Sequence, residues 1–206
     1  MSVAGEKTLT GFFVIEGIDG AGTTTQLELL TERYQKSGNP FWPTCEPTTG
    51  EIGKLIRQVL AGNVLVEPCT SAHLFVADRH EHLFSDEGIR AHLERGDKVI
   101  SDRYLFSSLA YQTVECSFDY VLTLNDPFPL PEALFFVDVP TEVGKQRSSE
   151  RLEREIFEHE EFQIKVREKY MQVLEVYASS DMDVHIIDGN DPPNVIAEKI
   201  WSLLPG

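Results

Sequence analysis

Five short apolar runs, separated by stretches with helical spacing, constrain this chain more than any other feature. They are Gly11–Glu16 (GFFVIE), Phe41–Trp42, Lys98–Ser101 (KVIS), Leu134–Val139 (LFFVDV) and Val184–Asp188 (VHIID). The strongest are hydrophobic at successive rather than alternate positions, which suits strands buried on both faces. Between them, Thr24–Lys36 carries Leu27, Leu30 and Tyr34 at helical spacing and stops at Ser37-Gly38-Asn39. Glu51–Leu60 places Ile52, Leu55, Ile56, Val59 and Leu60 on one face. Ser71–Arg95 reads as one long helix bent near Gly88, and Leu105–Gln112, Thr141–Glu153, Glu160–Tyr177 and Asn194–Leu204 complete the helices. Strand–helix repetition of this kind predicts an α/β fold, a five-stranded parallel sheet with helices on both faces, in one domain over residues 1–206. Ligands of such sheets bind at the carboxyl ends of the strands, here after Glu16, Ser101 and Val139.

Charge removes several function classes. With 34 acidic and 18 basic residues the net charge is -16. A surface so acidic is unsuited to nucleic acid or to anionic membranes, which need basic patches. A locally positive site for a small anion is still compatible with it. The apolar run Phe12–Ile15 is too short for a signal segment or a membrane span. Cys45, Cys69 and Cys116 lie far apart without a C-x-x-C spacing, which predicts three reduced thiols and no zinc site. The expectation is a soluble, cytoplasmic protein.

The first strand runs into Gly17-Ile18-Asp19-Gly20-Ala21-Gly22-Thr23-Thr24 and then Thr25. The phosphate-loop pattern is G-x-x-x-x-G-K-[ST]. Gly17 and Gly22 fit it, Thr24 fits the hydroxyl that meets Mg²⁺, and Thr23 stands at the lysine position. Backbone N–H groups and the helix N-terminus can cradle phosphate there, but threonine cannot supply the lysine's charge. The alternative is a glycine turn that only joins a strand to a helix.

Three other segments carry candidate chemistry. Asp102-Arg103-Tyr104 follows the third strand, where Arg103 can grip an acceptor phosphate. Asp102 can hold Mg²⁺ or orient Arg103; the plainer reading is a surface ion pair. Phe75 and Arg79, at i and i+4, can stack on a base and bond its edge, or be a core phenylalanine beside a solvated arginine. Arg147, Arg151 and Arg154 sit among Glu150, Glu153, Glu155 and Glu158. That is either a salt-bridged solvated helix or a lid whose arginines close over ATP and offset the missing lysine.

Taken together, FFVIEGIDGAGTTTQ, EPTTGEIGKLIR, LFVADRHEHL, GDKVISDRYLFSSLAYQ, LFFVDVPTEVGKQR, RLEREIFE and IIDGNDPP resemble the thymidylate kinase family across nearly the whole chain. The resemblance implies the P-loop nucleoside monophosphate kinase fold, ATP with Mg²⁺ as donor, dTMP as acceptor and a homodimer. It implies that Asp19 helps position the acceptor phosphate or its Mg²⁺, and that Arg103 binds that phosphate. Phe75 would stack on thymine, Arg79 would contact its edge, and Ser108 and Gln112 would lie near the base. Tyr111 would crowd the sugar and favour deoxyribose, with Glu46-Pro47 lining the pocket. Arg147 would pack on adenine, closed in by the Asp191 region, and Thr24 and Asp102 would serve the metal. A lid from about Ser148 to Glu158 would bring Arg151 and Arg154; Ala21 with lid arginines resembles the bacterial arrangement. Two positions depart from the pattern: Thr23, and Cys45 where many relatives have arginine before Glu-Pro, which would either weaken phosphate contacts or shift them to Arg103 and Arg57. Two rival readings are a deoxynucleoside kinase and a non-catalytic nucleotide-binding protein.

Overall fold

A computed structural model describes residues 8–148 and 156–205. In chain order the elements are β1 (Leu9–Glu16), α1 (Thr23–Ser37), β2 (Phe41–Cys45), α2 (Glu51–Leu60), α3 (Pro68–Phe84), α4 (Ile89–Glu94) and β3 (Lys98–Asp102). They continue with α5 (Leu105–Tyr111), a 3₁₀ turn (Gln112–Val114), α6 (Phe118–Asn125), β4 (Pro131–Asp138), α7 (Thr141–Ser148), α8 (Ile156–Tyr177), β5 (Asp183–Asp188) and α9 (Pro193–Leu203). The five strands pair in the order β2-β3-β1-β4-β5, parallel at every ladder. All five strands read from the sequence are present.

Burial explains the strand sequences. Phe12 to Glu16 of β1 are wholly buried, as are Leu134, Phe135 and Val137 of β4, because helices pack around the sheet. β5, at the edge, has Ile186 59% exposed and accordingly lacks the continuous apolar run of β1. The order places β3 and β4 on either side of β1, so the chain switches direction there. The crevice at the carboxyl end of β1 is where such a sheet takes its ligand.

Two expectations are corrected. The stretch Ser71–Arg95 is not one bent helix: α3 ends at Phe84, and α4 begins at Ile89. At Gly88 a Cβ would meet the His82 carbonyl oxygen at 2.6 Å, so the chain turns too tightly there for any side chain. The sequence reading also passed over α6, although Phe118, Val121, Leu122 and Asn125 have helical spacing behind Ser117.

The thiol expectation is corrected as well. Cys69, in the first turn of α3, is bonded to Cys116 beyond the 3₁₀ turn, with 5.9 Å between their Cα atoms; Cys45 alone is free. Sequence separation hid a pair that packing of α3 beside the 3₁₀ turn brings together, so cysteine spacing carries no argument about compartment here. Thiol titration of the denatured, unreduced chain should therefore find Cys45 alone, and all three cysteines after reduction. Three reactive thiols without reductant would rule out the pairing. No helix among the described residues is long and apolar enough to cross a membrane.

Candidate active site

The loop after β1 is seated by backbone approach. A Cβ at Gly20 would lie 2.1 Å from the Gly144 carbonyl oxygen, and one at Gly144 would lie 2.6 Å from that of Asp19. Loop and α7 thus touch through two glycines, leaving no space for a side chain at either. Ala21 N–H donates to the Ile18 carbonyl at 3.0 Å and tightens the turn. Gly22 caps α1 without any side-chain hydrogen bond. The first N–H groups of α1, at Thr23, Thr24 and Thr25, are the orphan donors that an anion can take. Thr23 is only 6% exposed, so its side chain is tucked into the loop rather than extended towards a ligand.

Opposite the loop, Arg103 and Asp19 meet. Arg103 Nη2 donates to Asp19 Oδ1 at 3.0 Å, and Nη1 donates to Ser107 Oγ at 3.2 Å and Tyr170 Oη at 3.3 Å. Tyr111 Oη donates to the same Asp19 oxygen at 2.8 Å. Burial pushes the Tyr111 phenol well up, so this hydroxyl keeps its proton. Gln163 of α8 completes the ring: its Nε2 donates to Asp19 Oδ2 at 2.8 Å, and Asp19 N–H returns a bond to its Oε1 at 3.3 Å. The Arg103 backbone has φ 74, a conformation that side chains rarely adopt. Its N–H donates to the Ile15 carbonyl at 2.9 Å, which anchors the turn across the end of β1. Such strain in a non-glycine residue at a sheet's ligand end marks a functional position. Arg103 does form an ion pair at the strand end, with Asp19, and the two side chains are 21% and 41% exposed.

Thr24 and Asp102, the residues expected to serve a metal, meet in the structure. Thr24 Oγ1 donates to Asp102 Oδ2 at 2.6 Å, while Asp102 Oδ1 is buried without a partner. A buried, unsatisfied carboxylate oxygen beside a hydroxyl is a suitable hard-cation donor set. Asp102 binds Thr24 rather than orienting Arg103, whose carboxylate partner is Asp19. Cys45 is the register partner of Asp102 across β2 and β3. Burial, then the nearby Asp102 charge, pushes its thiol up, so it is a poor nucleophile. Arg57 reaches over from α2 to donate to the Thr48 and Pro47 carbonyls.

Thr24, Asp102, Cys45 and Arg57 share the wall of one cavity of about 710 Å³ with Asp19, Arg103 and Gln163. Phe75 forms part of that wall, and Arg79, wholly buried, stands beside it. Arg79 is not solvated. Its Nε and Nη2 donate to Glu46 Oε2 at 2.9 and 2.7 Å, Nη2 also donates to Ser108 Oγ at 3.1 Å, and Nη1 donates to Asn125 Oδ1. Of its five N–H donors one, on Nη1, has no acceptor among the described residues. Gln112 lines the same cavity, and its Oε1 is likewise buried without a partner. Pro47 and Tyr111 also line the cavity; Ser108 does not, and reaches it only through Arg79.

On the far side of the loop, Arg147 donates to the Gly189 carbonyl at 3.1 Å, and Asp191 pairs with Lys199 at 2.6 Å. The two segments expected around adenine are thus adjacent. Arg151, Arg154 and the lid core lie outside the described residues.

Sequence reasoning missed Glu16, Gln163, Tyr170 and Asn125. Glu16 had a signal: it is the one carboxylate of β1, closing an unbroken apolar run. It is fully buried, and burial pushes its pKa up to about 7 although Arg103 and hydrogen bonds from Ser107, Tyr170 and Tyr104 pull it down. A carboxyl raised in this way stabilises the fold below its unfolded pKa. That contribution is lost as pH rises through about 7. Its charge is therefore kept at a cost.

The comparisons with known proteins agree with this geometry. The thymidylate kinase family model matches residues 15–200. A Treponema pallidum protein carrying the thymidylate kinase name is 42% identical over 195 residues, covering 93% of each chain. Two archaeal proteins named probable thymidylate kinase are similar over most of their length. That of Thermococcus kodakarensis is 36% identical over 94% of this chain and 96% of its own. That of Pyrococcus abyssi is 37% identical over 95% and 97%. With its parallel sheet, glycine loop and arginine-lined cavity, the chain belongs to the thymidylate kinase family.

Proposed function

We propose that this chain transfers the γ-phosphoryl group of ATP to dTMP, giving dTDP and ADP. The observation that carries this reading is the cavity lining: Phe75, Arg79 with one N–H that has no acceptor among the described residues, and Gln112 with its unpaired oxygen share one cavity with Asp19 and Arg103. A thymine offers a flat face, carbonyl acceptors and an N–H, which complement Phe75, Arg79 and Gln112 in that order. Ser108 and Glu46 would act behind them by fixing Arg79.

The acceptor phosphate would sit at Arg103, with Asp19, Tyr111 and Gln163 setting the guanidinium's position. One of its oxygens would form a bond to the γ-phosphorus in line with the bond to the β-phosphate oxygen. That bond breaks, and its electron pair leaves with ADP. The acceptor phosphate is already anionic, so no strong base is needed, and catalysis comes from alignment and charge neutralisation. Thr24 and Asp102 would hold Mg²⁺, which neutralises charge on phosphoryl oxygens when bound. The loop backbone from Gly17 to Thr25 would hold the ATP phosphates, and Arg147 with the Asp191 segment would flank adenine. Residues 1–206 would form one kinase domain with a lid at about 148–158, and the working species would be a homodimer. Arg151 and Arg154 of that lid would supply the cation that Thr23 lacks.

One coupled assay of ADP release tests the reading. Release is expected with dTMP and not with thymidine or with buffer alone, and dUMP serves as the probe of the thymine methyl. Efficient use of thymidine would make the chain a nucleoside kinase. Binding of ATP and dTMP without dTDP, even at high enzyme concentration, would make it a non-catalytic homologue.

A further inference from the structure

Behind Arg103 lies a closed set of hydrogen bonds that the proposed reaction does not itself require. Glu16 Oε1 accepts the backbone N–H groups of Tyr104 at 2.8 Å and Ser107 at 3.1 Å. Its Oε2 accepts Ser107 Oγ at 2.6 Å and Tyr170 Oη at 2.8 Å. Both of those hydroxyl oxygens also lie within reach of Arg103 Nη1, at 3.2 and 3.3 Å.

A hydroxyl has one proton and two lone pairs. When Glu16 is ionised, both hydroxyls spend their protons on Oε2, and both turn lone pairs towards Arg103. When Glu16 carries a proton, that proton must go to one of the same two oxygens. The hydroxyl that receives it must turn its own proton either to the other hydroxyl, 2.9 Å away, or outwards against the Arg103 N–H, so the arrangement in which both donate to Glu16 is lost. We propose that Glu16 is a positioning residue for phosphoryl transfer: its carboxylate aims the Ser107 and Tyr170 hydroxyls, which in turn fix the guanidinium of Arg103. This rests on Arg103 gripping the acceptor phosphate, as in the function proposed above.

Oε1 of Glu16 caps the first turn of α5, and Oε2 faces only the two hydroxyls. It has no exposed surface and does not line the cavity. The titratable and charged groups around it are Arg103 and Tyr104 from the turn after β3 and Tyr170 from α8. Asp19 and Tyr111 lie beyond Arg103. Arg103 is the one cation among them, and it pulls the carboxyl down against the burial that raises it to about 7. The coupling is reciprocal: whatever holds Arg103 in place favours the charged Glu16.

A mutant cycle separates this role from a structural one. Glu16→Gln should lower kcat/KM for dTMP about 100-fold in the wild-type background. In an Arg103→Ala background, assayed at high enzyme concentration, it should change kcat/KM less than about twofold, because the group it positions is gone. Equal losses in the two backgrounds would overturn the proposal. Tyr170→Phe, which keeps the charge and removes one acceptor, should give about a tenfold loss with the same non-additivity, and it stands in if Glu16→Gln does not fold. A ligand-free measurement reports independently of the acceptor. Carbon-13 NMR should place the Glu16 carboxyl midpoint near 7. Arg103→Ala should raise that midpoint by about one pH unit. An unmoved midpoint would also overturn the proposal. Failure of the wild type to turn over dTMP would instead strike the proposed function and leave the NMR result to decide this one.

Discussion

Replacing Arg103 with alanine is expected to lower kcat/KM for dTMP about 10³-fold, the usual scale for an arginine that neutralises a transferring phosphoryl group. Lysine at Arg103 should recover little, because one ammonium cannot span Asp19 on one side and the Ser107 and Tyr170 hydroxyls on the other. The backbone adds a second, separable expectation. At φ 74 every residue with a Cβ is strained. Arg103→Gly should therefore be as inactive as Arg103→Ala yet more stable than it by about 1 kcal/mol. Steady-state kinetics and denaturant unfolding of the two variants check both statements. An alanine variant within tenfold of wild type would remove Arg103 from the reaction.

That pairing of strain with chemistry also shows what the sequence could and could not convey. The sheet was legible because β1 and β4 are buried on both faces and so consist of unbroken apolar residues. The loop was legible because Gly17, Gly20 and Gly22 follow such a strand directly. Arg103 could be placed, since a polar triplet closing a short strand falls at the ligand end. Its partners could not. Gln163 and Tyr170 lie on α8, 60 and 67 residues beyond Arg103, and reach Asp19 and Arg103 only once the chain folds back beside α5. Nothing in the period of a helix says which polar residue on it faces a distant loop. The Cys69–Cys116 bond escaped for the same reason. The solvated reading of Arg79 failed differently. Helical spacing put it beside Phe75 correctly, but its burial depends on Glu46, which sits in another element and becomes a partner only through the β2 to α2 connection.

Arg79 carries the second large effect, and here binding and stability have to be separated. Both Arg79 and Glu46 are buried, with side-chain exposures of 0% and 2%. Arg79→Ala removes the cation and leaves the Glu46 carboxylate in the core, facing only His82 Nδ1 at 3.1 Å. Breaking one side of such a pair costs about 3–5 kcal/mol, far more than the pair contributes relative to apolar residues of like volume. The single variant should therefore unfold at much lower denaturant and bind no dTMP, an outcome that does not by itself show base recognition. Arg79→Met combined with Glu46→Gln removes both charges and keeps most of the volume. It should regain at least about half of the lost stability, while dTMP no longer protects it against thermal unfolding and ATP still does. The free Nη1 donor of Arg79 is what the acceptor would lose, and the phosphate loop is untouched. If dTMP protected the double variant as well as the wild type, Arg79 would be a core residue with no part in reading the base.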